Sequence, residues 1–148
     1  MAPQNEKKVL DILLIEDNPG DVRLILEGFS EGNIAHNIHT VKDGEMAINF
    51  LEKGMGYEDS VDPDLILLDL KIPRKNGFEV LEFIKSRSEL KDIPVIVLTS
   101  SEAEDDILKS YELNANCYVT KPLDVDRYVV MVKAIEEFWI TAIRKRGE

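Results

Sequence analysis

The chain is predicted to fold as a doubly wound α/β domain, a five-stranded parallel sheet with helices on both faces. Three observations predict it. Five short apolar runs alternate with five longer stretches of helical spacing. The central runs carry apolar residues at consecutive positions, as strands covered on both faces do. Helix-opening residues stand just after the ends of several runs.

The apolar runs are Ile12 to Ile15, Ile38 to Val41, Leu65 to Leu68, Val95 to Leu98 and Cys117 to Val119. The helical stripes between them run through Val22, Ile25, Leu26 and Phe29, then Met46, Ala47, Phe50 and Leu51, then Phe78, Leu81 and Ile84. A fourth takes in Ile107, Leu108, Tyr111 and Leu113, and a fifth starts at Val125. Asp43-Gly44 opens the second helix, which Gly54 and Gly56 close, and Asn76-Gly77 opens the third. Ser101, with Glu104 three residues on, has the capping-box pattern for the fourth. Right-handed crossovers then put helices on both faces of the sheet. Periodicity does not give the strand order; the flavodoxin-like order 2-1-3-4-5 is one common solution for five βα units.

Composition limits the function classes. A chain of 148 residues suits one domain. Residues 1–8 are expected to be a polar tail and residues 9–148 a single domain with an extended last helix and no output domain. The apolar runs fall far short of the ~20 residues a membrane span needs. The single cysteine, Cys117, excludes an internal disulfide framework. A net charge of −11 repels phosphate backbones and argues against nucleic-acid binding. A cytoplasmic location is expected.

In open parallel sheets, ligands bind outside the carboxyl ends of the strands. Glu16, Asp17 and Asn18 follow the first run, Asp69 the third, Thr99 the fourth, and Thr120, Lys121 and Pro122 the fifth. Three carboxylates, a hydroxyl and an ammonium are therefore expected to meet. Clustered carboxylates repel, and a hard divalent cation such as Mg²⁺ relieves that repulsion. Asp17 and Asp69 would hold it, with Glu16 direct or through water and a backbone carbonyl near Lys71. A carboxylate beside such an ion can act as a nucleophile toward phosphorus. Lys121 and Thr99 would then contact phosphoryl oxygens. An aspartate at a strand end is often only a helix cap. That does not account for acids, hydroxyl and lysine at four strand ends together.

The pieces Leu14-Ile15-Glu16-Asp17-Asn18, Leu67-Leu68-Asp69-Leu70-Lys71-Ile72-Pro73 with Asn76-Gly77, Pro94-Val95-Ile96-Val97-Leu98-Thr99 and Tyr118-Val119-Thr120-Lys121-Pro122 together resemble a two-component response-regulator receiver domain, from Val9 to about Phe138. The resemblance implies that Asp69 is the phospho-acceptor. Glu16 and Asp17 would be the acidic pair for Mg²⁺, with the Lys71 carbonyl as a further ligand. Thr99 would be the switch hydroxyl, Tyr118 the aromatic switch residue and Lys121 the phosphoryl-contacting lysine. It also implies a cis Lys121–Pro122 bond and the phosphohistidine of a sensor histidine kinase as donor. Lys71 and Ser101 occupy positions that tune phosphoryl lifetime in the family. Such a domain is not an enzyme in its own right, though it assists its own phosphorylation and dephosphorylation.

The segment from Asp124 to Ile143 outruns the ~13 helical residues that cover a six-residue strand. Two readings of it stand. In one, Tyr128, Val132 and Ile135 cover the sheet and Trp139 folds back. In the other, part of the surface, including Tyr128, Met131, Phe138 and Trp139, is a homodimer interface. The Phe138-Trp139 ending and the long loop from Gly54 to Asp62 resemble the single-domain regulators that partner phytochrome-type sensor kinases. Two other functions compete. An Mg²⁺-dependent phosphatase or phosphotransferase using an aspartyl-phosphate intermediate usually needs a second carboxylate two residues past the nucleophile, where Lys71 stands. A flavin carrier needs a Ser/Thr/Gly-rich phosphate loop, where Glu16-Asp17-Asn18 stands.

Overall fold

The computed structural model describes residues 9–144, with the side chains of residues 142–144 excepted. The expected N-terminal tail, residues 1–8, lies outside the described residues. The elements are β1 (Leu10–Ile15), α1 (Pro19–Ser30), β2 (His36–Val41), α2 (Gly44–Glu52), β3 (Leu65–Leu68), α3 (Gly77–Ser86), β4 (Val95–Thr99), α4 (Glu104–Glu112), β5 (Cys117–Thr120) and α5 (Val125–Phe138), followed by a π-helical stretch, Trp139–Arg144. The strands are all parallel, in the order β2-β1-β3-β4-β5. Among the described residues no helix is long and apolar enough to cross a membrane.

Side chains alternate across a strand, so each consecutive apolar run serves two layers. Leu13, Ile15, Ile66, Leu68, Val95 and Val97 pack with Ala47, Phe50, Val80, Leu81 and Ile84 of α2 and α3. Ile12, Leu14, Leu65, Leu67, Ile96 and Leu98 pack on the other face with Ile25 and Phe29 of α1 and Tyr128, Val132 and Ile135 of α5.

Four helices start on side-chain caps at the carboxyl edge of the sheet. Asn18 accepts from the Asp21 N–H at 3.1 Å, with Pro19 at the first helical position. Asp43 accepts from the Met46 N–H at 2.8 Å, and Asp124 from the Arg127 N–H at 2.9 Å. Asn76 and Glu79 exchange a reciprocal capping box at 3.0 Å in both directions.

Several expectations are corrected. The fourth helix is not capped by Ser101: its N-cap is Ala103, with no side-chain cap, because the Ser101 hydroxyl donates to Asp106 at 2.6 Å instead. Leu108 and Tyr111 of the predicted stripe are exposed, and Ser110 is the buried residue of α4. Helix α2 ends on Lys53, which takes the left-handed conformation itself (φ 57°), while Gly54 donates its N–H to the Asn49 carbonyl at 2.8 Å. No peptide bond among the described residues is cis, so Lys121–Pro122 is trans, the form the tertiary amide favours by about 0.5–1 kcal/mol. Thr99 and Thr120 end their strands rather than following them.

The last helix follows the core-facing reading. Tyr128, Val132, Ile135 and Trp139 are all buried in the layer shared with α1. Tyr128 and Trp139 therefore spend their apolar surface inside this chain, and the expectation that they form a dimer surface is revised, whereas Met131, though mostly buried, also lines the groove beside β5. Phe138 is only partly buried, and Val130 and Ile140 are exposed.

Gly77 sets how closely α3 meets the end of β3. A Cβ there would stand 2.5 Å from the Leu70 Cα and 2.6 Å from the Asp69 carbonyl oxygen, both backbone atoms that cannot swing aside. Gly77→Ala is expected to destabilise the fold by about 1–3 kcal/mol, as overpacking does. At Gly54 a Cβ would meet nothing nearer than 3.4 Å, so Gly54→Ala is expected to stay within about 0.5 kcal/mol. Urea midpoints of the two variants check the contrast.

Candidate functional site

The expected residues do converge. Glu16 leaves β1 with its N–H bonded to the Val41 carbonyl at 3.0 Å, and its Oε2 accepts from the Asn18 N–H at 3.1 Å. Asp69 follows β3 with its N–H on the Ile15 carbonyl at 3.0 Å, so the β1–β3 pairing sets the two acids side by side. Lys121 follows β5, its N–H on the Thr99 carbonyl at 2.8 Å. Its Nζ lies 2.8 Å from Glu16 Oε1, 2.7 Å from Asp21 Oδ2 and 3.0 Å from Asp69 Oδ2. The Lys71 N–H donates to Asp69 Oδ1 at 3.2 Å.

Glu16 and Asp69 are buried, whereas Asp17 is exposed. One ligand oxygen from each of Glu16, Asp17 and Asp69 lies within 4.8 Å of the others. Counting Asp21, this corner of the sheet sets several carboxylates against one ammonium. Among the described residues Asp17 has neither hydrogen bond nor ion pair. An all-oxygen donor set with excess negative charge and an uncommitted carboxylate at its mouth fits a hard divalent cation.

Burial pushes the Glu16 carboxyl up, Asp69's charge adds to this, and the hydrogen bond from Lys121 only partly offsets it, so the pKa reaches about 7. Burial also pushes Asp69 up, but hydrogen bonds from Lys121 and Thr99, the Lys121 charge and the Lys71 N–H outweigh it and hold Asp69 below its ordinary value. Burial opposes the charge on Lys121, yet its hydrogen bonds to Asp21, Glu16 and Asp69 raise its pKa. The two buried acids, though close together, are thus driven apart in acidity by their neighbours.

Thr99 is fully buried, and its hydroxyl lies close enough to Asp69 to help hold that carboxyl low. The Tyr118 hydroxyl donates to the Ser101 carbonyl at 2.9 Å. Sequence reasoning missed Asp21. The only signal is its place in the first turn of α1, three residues after the Asn18 cap, where an acid usually answers the helix dipole. It also missed that Tyr128 lies beside this acid. Burial first, and then the Asp21 charge, push the Tyr128 phenol up to about 12.

Residues 12–133 match the response regulator receiver domain family. The chain belongs to that family. Response regulator Rcp1 of Synechocystis sp. is 46% identical over 132 residues, spanning 89% of this chain and 90% of Rcp1. The crystal structure of the Mn²⁺-bound form of Rcp1 superposes on this receiver domain with a TM-score of 0.84, covering 93% of this chain and 97% of that one. The phosphorylated cyanobacterial phytochrome response regulator RcpA is 47% identical with a TM-score of 0.85, covering 89% of this chain and 94% of that one. The probable methanogenesis regulatory protein FilR2 of Methanothrix harundinacea is 37% identical over 136 residues, spanning 92% of this chain and 87% of FilR2.

A raised carboxyl pKa means that the fold favours the protonated form. The Glu16 contribution to stability is therefore fully present below about 4.5 and lost as pH rises toward about 7. Asp69, held low, contributes above its ordinary value of 3.8 and loses that contribution in acid. With divalent ions chelated, the urea midpoint is expected to fall between about pH 5 and about pH 7, and Glu16→Gln to flatten that fall. An unchanged slope in the variant would refute the assignment.

Proposed function

We propose that this receiver domain takes a phosphoryl group onto Asp69 from the phosphohistidine of a sensor kinase, and that Mg²⁺ is the ion used. The observation that carries this reading is the Lys121 ammonium, held between Glu16, Asp21 and Asp69 at 2.7–3.0 Å. A carboxylate oxygen of Asp69 forms the bond to phosphorus as the donor's P–N bond breaks. The electron pair of that bond leaves with the imidazole nitrogen, which takes a proton from solvent. Glu16, Asp17 and Asp69, with the Lys71 carbonyl, would hold the cation, which supplies charge neutralisation for nucleophile and phosphoryl oxygens. Lys121 can pass from the Asp69 carboxylate to a phosphoryl oxygen with little displacement, and the Thr99 hydroxyl can do the same. The low pKa of Asp69 keeps the nucleophile ionised at neutral pH. On this reading the chain works in the cytoplasm beside its kinase.

Incubation with acetyl phosphate and Mg²⁺ is expected to add the mass of one phosphoryl group to the intact protein, with Asp69→Asn abolishing the gain. A folded wild-type protein whose mass does not change would sink the reading.

A phytochrome-type kinase is the proposed partner, supported by the likeness to Rcp1 and RcpA. Homodimerisation through the last-helix region is proposed on a surface that keeps Met131 and Phe138 of the expected residues but not the buried Tyr128 and Trp139. An apolar groove of about 510 Å³ runs between β5 and α5, lined by Val119, Val130, Met131, Ala134 and Phe138 among others. Among the described residues, strand β5 pairs only with β4, so this groove borders an open sheet edge. Sedimentation with and without beryllofluoride–Mg²⁺ is expected to show a dimer that Ala134→Arg weakens while beryllofluoride still binds. A wild-type monomer under both conditions would exclude it.

A further inference from the structure

An ammonium has three N–H donors, and that of Lys121 faces three carboxylate oxygens: Glu16 Oε1 at 2.8 Å, Asp21 Oδ2 at 2.7 Å and Asp69 Oδ2 at 3.0 Å. The Lys121 side chain is only 10% exposed, so water has little room to replace a partner. The three acids are not equivalent. Glu16 and Asp69 share with Asp17 the cluster whose oxygens could hold a cation, and Asp21 lies outside that cluster. A cation would therefore draw on Glu16 and Asp69 and leave Asp21 to Lys121.

Asp21 lies in the first turn of α1, where its N–H donates to the Asn18 cap at 3.1 Å. That cap fixes the backbone from which the carboxylate reaches Lys121. The fully buried Tyr128 of α5 lies beside the same carboxylate. An acid in a first helical turn answers the helix dipole, which accounts for the position of Asp21 in the turn. It does not account for the contact with Lys121, since the dipole is served as well by a carboxylate turned to solvent.

We propose that Asp21 is a positioning residue for Lys121 that weakens the hold of the site on a phosphoryl group while strengthening its hold on the cation. The proposal rests on the reading of Asp69 as phospho-acceptor. An acyl phosphate on Asp69 presents phosphoryl oxygens, and Lys121 is the ammonium that can donate to them. Asp21 accepts from that ammonium at the shortest of the three distances, so it competes for it. Its charge also repels phosphoryl oxygens and attracts a divalent ion. Removing that one charge then moves two affinities in opposite directions. A side chain that only supported the fold would move both the same way.

Calorimetric titration of the full chain, with Mg²⁺ alone and with beryllofluoride at saturating Mg²⁺, tests this. Asp21→Asn keeps the size and an oxygen acceptor but removes the charge. It is expected to bind beryllofluoride roughly fivefold more tightly and Mg²⁺ roughly fivefold more weakly, the low end of couplings between sites. Asp21→Ala, which leaves no acceptor at all, is expected to tighten beryllofluoride binding at least as much. Glu27→Gln removes an exposed charge further along the same helix, where salt screens it, and is expected to leave both affinities unchanged. Two affinities that move together in Asp21→Asn, or that do not move, would overturn the proposal. So would equal shifts in Glu27→Gln, which would trace the effect to net charge and not to the contact with Lys121. Failure of the wild type to bind beryllofluoride with Mg²⁺ would instead overturn the Asp69 reading on which the proposal stands.

Discussion

The Lys121 ammonium is the interaction around which the carboxyl edge of the sheet is organised. Glu16 and Asp69 are almost wholly buried, and buried carboxylates are tolerated only when paired and hydrogen-bonded. Lys121 supplies that pairing to both, and to Asp21 as well. One cation does not neutralise this many acids. The imbalance falls on Glu16, whose pKa rises to about 7, whereas Asp69 stays ionised. The lysine therefore keeps Asp69 charged beside a set of carboxylates that a hard divalent cation fits. It can do so only because its own N–H is fixed on Thr99 by the pairing of β4 and β5.

An acidic site is a poor place for a phosphoryl group unless something else attracts the anion. Helices α1, α3 and α5 begin on capped N-termini after β1, β3 and β5. The positive ends of their dipoles lie on the same side of the sheet as Asp69, and such ends favour negative charge. Gly77 lets α3 begin against the Asp69 carbonyl itself. On the proposed reading a metal would relieve the acids, while the lysine and the helix ends would receive the phosphoryl oxygens. Among the described α-helices, α4 alone lacks a side-chain cap.

Much of this was legible in the sequence because it depends on strand ends. A consecutive apolar run followed by an acid marks where a buried strand stops, and β3 matches its predicted bounds from Leu65 to Leu68. The side chains that follow the runs must then share one edge. What was not legible depends on which way a helix faces. The consecutive residues Val129 to Val132 are apolar all round, so they do not say which side meets the sheet. The spacing Tyr128, Val132, Ile135, Trp139 does say it, and that stripe is the buried one. Asp21 was invisible for a related reason, since an acid in a first helical turn already has an explanation. Ser101 followed by Glu104 matched a capping box, but Asp106 competes for the same hydroxyl and takes it at 2.6 Å.

The length of the last helix is explained by its packing against α1. The two helices approach closely because Gly28 and Gly32 face α5: a Cβ at Gly28 would stand 2.7 Å from Val132 Cγ2, and one at Gly32 would overlap the Glu136 carboxylate. That approach buries Val132, Ile135, Glu136 and Trp139, and among the described residues Glu136 Oε2 and the Trp139 indole N–H are left without hydrogen-bond partners. Leaving such groups unpaired costs stability, and the apolar packing between the helices offsets it. On the other side of α5, Val130, Ala134 and Phe138 line the groove beside β5. The side of α5 that is turned inward is therefore set by two glycines, one in α1 and one just after it.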